Sequence, residues 1–181
     1  MPQGLFCLLY TSILLNAVLL LLCCLLQFSG FLRLYGAAPN FLLCFVVCLS
    51  VSEQSPAVAV VFSAVAGLLS DFFSGGFFGH RTFWAIVTAS VSVALLYRFF
   101  SRNFKTVLAI YTVSHLVTDS VYYLLYSFSK TEISFFGELW SDFLPSFALS
   151  LPVLALLYLI YGRVYYKNPD VRLYGKAGFR R

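Results

Sequence analysis

Residues 57–81 read AVAVVFSAVAGLLSDFFSGGFFGHR, and the fold of the chain turns on them. An apolar segment runs to an acid, Asp71, is interrupted by Gly75, Gly76 and Gly79, and restarts behind His80 and Arg81. An aspartate inside a membrane helix is costly unless something pairs with it. Asp71 therefore marks a site, whereas the Leu, Phe and Val around it record the solvent.

Of the 181 residues, 61% are apolar and only 10% charged, with a mean hydropathy of +0.89. This is far from the composition of a soluble domain. It predicts an all-α integral membrane protein: a transmembrane domain over residues 1–162 and a basic cytoplasmic tail over 163–181. The net charge of +5 sits on one predicted face and is not read as nucleic-acid binding. Cys7, Cys23, Cys24, Cys44 and Cys48 all lie in apolar stretches. Cys44 and Cys48 share a helix face, but a zinc site needs further ligands, so the cysteines read as small buried hydrophobes and no metal or cofactor is expected. The first apolar run lacks a basic n-region and a small-residue cleavage site, and Leu22 before Cys23 does not fit a lipobox.

A bilayer core of about 30 Å needs roughly 20 helical residues. The pattern predicts six helices: Leu5–Phe28, a short second from near Pro39 to near Ser52, Ala57–Phe73, Thr82–Phe100, Lys105–Tyr126 and Leu139–Tyr161. Pro39 reads as a first-turn proline of the second helix, and Glu53-Gln54-Ser55-Pro56 as a polar turn before the third. The second, roughly 21 Å long, either sits in a thinned region or forms a re-entrant pair with the third. Lys and Arg set orientation. With the N-terminus inside, inner segments hold Arg98, Arg102, Lys105, Arg163, Lys167, Arg172, Lys176, Arg180 and Arg181, while outer loops hold only Arg33, Arg81 and Lys130. Both termini are expected in the cytoplasm, with Glu132, Glu138 and Asp142 as a solvated outer patch.

Two acids remain inside the apolar segments. Asp71 lies 14 residues beyond Ala57 and Asp119 lies 14 beyond Lys105, which places each roughly 21 Å above the inner face. Asp71 is also near its helix's C-terminus, where the dipole repels a carboxylate. It needs a cation or donors, with Arg81 the nearest candidate, or it reaches water at a frayed end. Thr112, His115, Asp119, Tyr122 and Tyr126 form one stripe on the fifth helix, with His115 and Asp119 a turn apart. Such a stripe belongs against protein rather than lipid. Asn16, near mid-membrane on the first helix, joins these interface candidates or makes a single interhelical hydrogen bond.

No catalytic pattern emerges. GLLSD lacks the Gly-x-Gly-Asp of intramembrane aspartyl proteases, and Ser114 or Ser120 with His115 and Asp119 has no nucleophile elbow. Pro145 and Pro152 fall on nearly one face of the sixth helix, and Pro152 removes the bond to the Ala148 carbonyl. The kink could form a groove for a lipid or partner helix. In the tail, bases alternate with Tyr165, Tyr166, Tyr174 and Phe179. Lys167, Arg172, Lys176, Arg180 and Arg181 are candidates for contact with anionic headgroups or with a cytoplasmic partner.

The order of these features resembles the MreD family of the bacterial rod-shape system. The residues that carry the resemblance are Pro39-Asn40-Phe-Leu-Leu opening a short second helix, and Gly67-Leu-Leu-Ser-Asp71-Phe-Phe-Ser-Gly-Gly with Gly79 following. Many members carry Asp where this chain has Asn40. The resemblance implies a non-enzymatic scaffold of the elongation complex that associates with MreC, and through it with MreB, RodA and its penicillin-binding transpeptidase. It also implies a six-helix bundle like the substrate-binding components of energy-coupling factor transporters. A vitamin-binding component of such a transporter is the rival function. Leu20 and Leu21 stand where that class places small residues after Asn16 and Ala17.

Overall fold

The computed structural model describes residues 3–29, 37–53, 55–74, 78–98, 103–129 and 135–166, with side chains at 12–29, 37–53, 55–74, 78–96, 103–126, 140 and 143–163. Six helices order the described residues: α1 (Gln3–Phe28), α2 (Phe41–Ser52), α3 (Pro56–Ser74), α4 (His80–Arg98), α5 (Phe104–Ser129) and α6 (Phe135–Tyr166). The number agrees with the hydropathy pattern, and most boundaries shift by a few residues. Pro56–Ser74 and Phe143–Arg163 are each long and apolar enough to cross a membrane, while Ser12–Phe28, α2 and His80–Leu96 are apolar but shorter.

The sequence of α2, FLLCFVVCLSVS, has no polar face, and every one of its residues is buried. A helix that is apolar all round belongs in a core. The other five helices all touch α2 and surround it in the order α1, α3, α4, α5, α6, each packed on the next. The Tyr161 hydroxyl, donating to Asn16 Oδ1 at 3.1 Å, links α6 back to α1. The outward faces carry exposed Leu21, Phe72 and Leu159, on a scale soluble monomers avoid.

The shortness of α2, about 18 Å for 12 residues, follows from its enclosure. Its ends stop inside the protein, and at the Phe41 end side chains satisfy the free backbone N–H groups. Phe41 N donates to Gln27 Oε1 at 2.7 Å, Asn40 N to Ser150 Oγ at 2.9 Å and Leu43 N to Asn40 Oδ1 at 3.2 Å. Irregular backbone at membrane depth is tolerated where protein covers it. Asn40 is thus the N-cap, and Pro39 precedes the helix instead of occupying its first turn.

Against α6, the Cys44 and Cys48 thiols approach the Ser150 and Leu154 carbonyls at 3.7 and 3.8 Å. Both cysteines are fully buried, and their small size lets the two backbones draw close. The helix α6 runs unbroken through Pro145 and Pro152. Pro152 and Ala148 lie on its exposed face, so they do not line a groove inside the bundle.

Candidate functional site

The α3–α4 hairpin gives the opening sequence its physical meaning. A Cβ placed on Gly67 would lie 2.5 Å from Thr82 Cα, so only glycine lets the first turn of α4 approach α3 this closely. One turn further along α3, the Asp71 carboxylate reaches under the start of α4. Its Oδ2 accepts from Gly79 N at 3.1 Å, Thr82 N at 2.9 Å and Thr82 Oγ1 at 2.6 Å, and its Oδ1 accepts from Arg81 N at 3.0 Å. A helix N-terminus presents unpaired N–H groups and a partial positive charge. Asp71 therefore caps α4 from the neighbouring helix. Gly79, at φ +89°, supplies the left-handed residue that brings the chain round. Gly75 and Gly76 lie outside the described residues.

The acid's partner differs from the one the charges suggested. Arg81 contributes its backbone N–H to Asp71, while its guanidinium donates through Nη1 to Ser70 Oγ at 3.0 Å. The amides at the start of α4 are already in place, so holding the carboxylate requires no second buried ion. They also offset the unfavourable dipole at the end of Asp71's own helix.

The α4 start meets α5 through His80, whose Nε2 donates to the Thr118 carbonyl at 3.2 Å. On α5, His115 Nδ1 lies 2.7 Å from Asp119 Oδ2. His115 is buried, and Asp119 remains 25% exposed at the side chain. Thr112, on the same stripe, satisfies its hydroxyl within α5 by donating to the Leu108 carbonyl at 2.8 Å. His80, Arg81, His115, Thr118, Asp119 and Tyr122 line a cavity of about 420 Å³ at the Phe41 end of α2, together with Asn40, Ser70 and Ser146. Asp119 is part of this lining and Asp71 is not, although both acids lie at the same end of the bundle.

Ser146, His115 and Asp119 have the connectivity of a hydrolase triad, with Ser146 Oγ 3.5 Å from His115 Nε2. The Ser146 hydroxyl, however, donates to the Ala38 carbonyl at 2.9 Å. A nucleophile must deliver that proton to the imidazole, so the array does not activate a serine.

Asn16 belongs to a different cluster, at the Ser52 end of α2. There Glu53, read from sequence as part of a polar turn, is buried at 8% exposure. Its Oε2 accepts from Ser12 Oγ at 2.8 Å and Asn16 Nδ2 at 3.2 Å, and its Oε1 accepts from Ser55 N at 3.3 Å. Glu53 was the acid that hydropathy missed. The only signal available was the i, i+4 pair Ser12 and Asn16 on one face of an otherwise apolar α1.

The tail residues Lys167, Arg172, Lys176, Arg180 and Arg181 lie outside the described residues, as do Arg33, Arg102, Lys130 and Glu132 and the side chains of Arg98, Glu138 and Asp142. No curated protein and no solved structure matches the chain. The family profile described as rod shape-determining protein MreD matches residues 5–167. The match runs from the start of α1 to just past the end of α6 and contains both the Gly67–Asp71 hairpin and the enclosed α2. On that coverage the chain belongs to the MreD family of membrane proteins that determine rod shape.

Proposed function

We propose that this protein is a non-enzymatic scaffold of the bacterial cell-elongation complex, binding MreC within the membrane. Through MreC it acts with MreB, RodA and its penicillin-binding transpeptidase in the control of cell shape and peptidoglycan synthesis. The observation that carries this reading is the use of its buried acids. Asp71 and Glu53 are both committed to joining helices, which leaves a rigid body with an apolar exterior instead of a reaction centre. In this reading the bundle takes the architecture of the substrate-binding components of energy-coupling factor transporters. Both termini lie in the cytoplasm, by the distribution of Lys and Arg. The basic tail rests on anionic headgroups, where each base contributes about 1 kcal/mol.

Co-expression with the neighbouring membrane proteins, detergent purification and mass spectrometry test the assignment. MreC is expected in the purified complex. A bound vitamin with an ATPase pair, and no MreC, would replace the scaffold by the transporter reading. Deleting residues 167–181 is expected to preserve insertion and weaken recruitment, read by localisation and cell width.

A further inference from the structure

We propose that the cavity at the Phe41 end of α2 binds the phosphate-type anionic group of a membrane amphiphile, with the Arg81 guanidinium as its anchor. Arg81 is half-buried, lines the cavity, and directs one guanidinium hydrogen bond to Ser70 Oγ. A guanidinium carries five N–H donors in a planar fork suited to phosphate oxygens. The nearest acid does not consume them, because Asp71 already accepts from three amides and a hydroxyl. The second acid, Asp119, lies against His115.

Two further observations point to an occupant. Thr118 lines the cavity at 8% exposure, and its Oγ1 has no hydrogen-bond partner among the described residues. A buried hydroxyl left unpaired in a polar cavity is costly. The start of α2 also opens here, capped by the neutral side chain of Asn40, so its dipole adds positive potential, whereas the Asp71 carboxylate offsets that of α4. Discontinuous membrane helices hold anionic groups with such ends.

The amphiphile follows from the rim. Phe28 and Phe73 line the same cavity with ring centroids 4.6 Å apart, and Phe73 and the adjoining Phe72 are 55% and 74% exposed. An acyl or isoprenoid chain would lie along these rings while its headgroup enters. This inference does not depend on MreC.

The full chain, purified in neutral detergent, is offered phosphatidylglycerol, diacylglycerol with the same acyl chains, or inorganic phosphate, and retained adducts are read by native mass spectrometry. Phosphatidylglycerol is expected to be retained at least tenfold over diacylglycerol. Retention of inorganic phosphate with equal occupancy would keep the anion site and name the free ion as its source. R81Q is expected to lower retention about tenfold, the loss of one charge-assisted contact, and R81K less. N40D preserves an N-cap, since Asp and Asn cap equally well, but adds a negative charge to the lining and is expected to lower retention as well. K105Q, on an exposed residue at the start of α5, should match the unaltered chain. Equal retention of diacylglycerol, or R81Q indistinguishable from the unaltered chain, would overturn the proposal and leave a water-filled cavity. Should R81Q not purify as a single species, N40D decides by the same criterion.

Discussion

At the Ser52 end of α2, the Glu53 carboxylate is closed in by donors from α1 and the α2–α3 turn, and Asn16 passes the network on to Tyr161 of α6. At the Phe41 end, the Asp71 carboxylate is equally well satisfied, but beside it opens a cavity where a hydroxyl and most of a guanidinium's donors lack partners among the described residues. The difference separates two uses of buried polarity. A network whose members all find partners fixes packing. A set of polar atoms left short of partners marks a place where something else belongs.

Variants that cut the satisfied contacts should therefore cost stability, and a variant at the Thr118 hydroxyl should not. The largest effect is expected for Asp71→Ala, which strands three amides and a hydroxyl at the start of α4. A loss of about 3 kcal/mol, in the range for breaking a buried charged contact, should appear in steric-trap unfolding in bicelles. Asp71→Asn should lose about half as much, since one amide oxygen still accepts. A wild-type unfolding curve for Asp71→Ala would remove the cross-helix cap from the account. Gly67→Ala comes next, at about 2 kcal/mol, because the clash is with Thr82 backbone and no side chain can swing aside; thermal unfolding in detergent reads it. Glu53→Gln should cost about 1 kcal/mol, as its new NH₂ group faces the Ser12 and Asn16 donors. Thr118→Val should change stability by less than about 0.5 kcal/mol, since the shape is kept and no hydrogen bond among the described residues is lost. A large loss there would show that the cavity wall is part of the packing and erase the contrast between the two ends.

The helix count and the importance of Gly67 and Asp71 were legible because composition names the solvent and a lone acid in it stands out. Asp71's partners were not, because backbone amides look the same under every letter, and the one visible cation, Arg81, drew the assignment. Glu53 was hidden by its neighbours: followed by Gln54, Ser55 and Pro56, it reads as a hydrated turn. Its burial depends on Asn16 and Tyr161, which lie 145 residues apart along the chain. The cavity was illegible for the same reason, since its wall is assembled from parts of all six helices. Asn40 caps α2 through its side-chain oxygen, a role that Asp fills equally well.

The enclosure of α2 also constrains biogenesis. The thiols of Cys44 and Cys48 meet carbonyls 106 residues downstream, so this flank stays uncovered until the final segment leaves the translocon. A nascent chain arrested after α5 would present that bare flank to lipid and to membrane proteases. Completion of the bundle therefore waits on the arrival of α6.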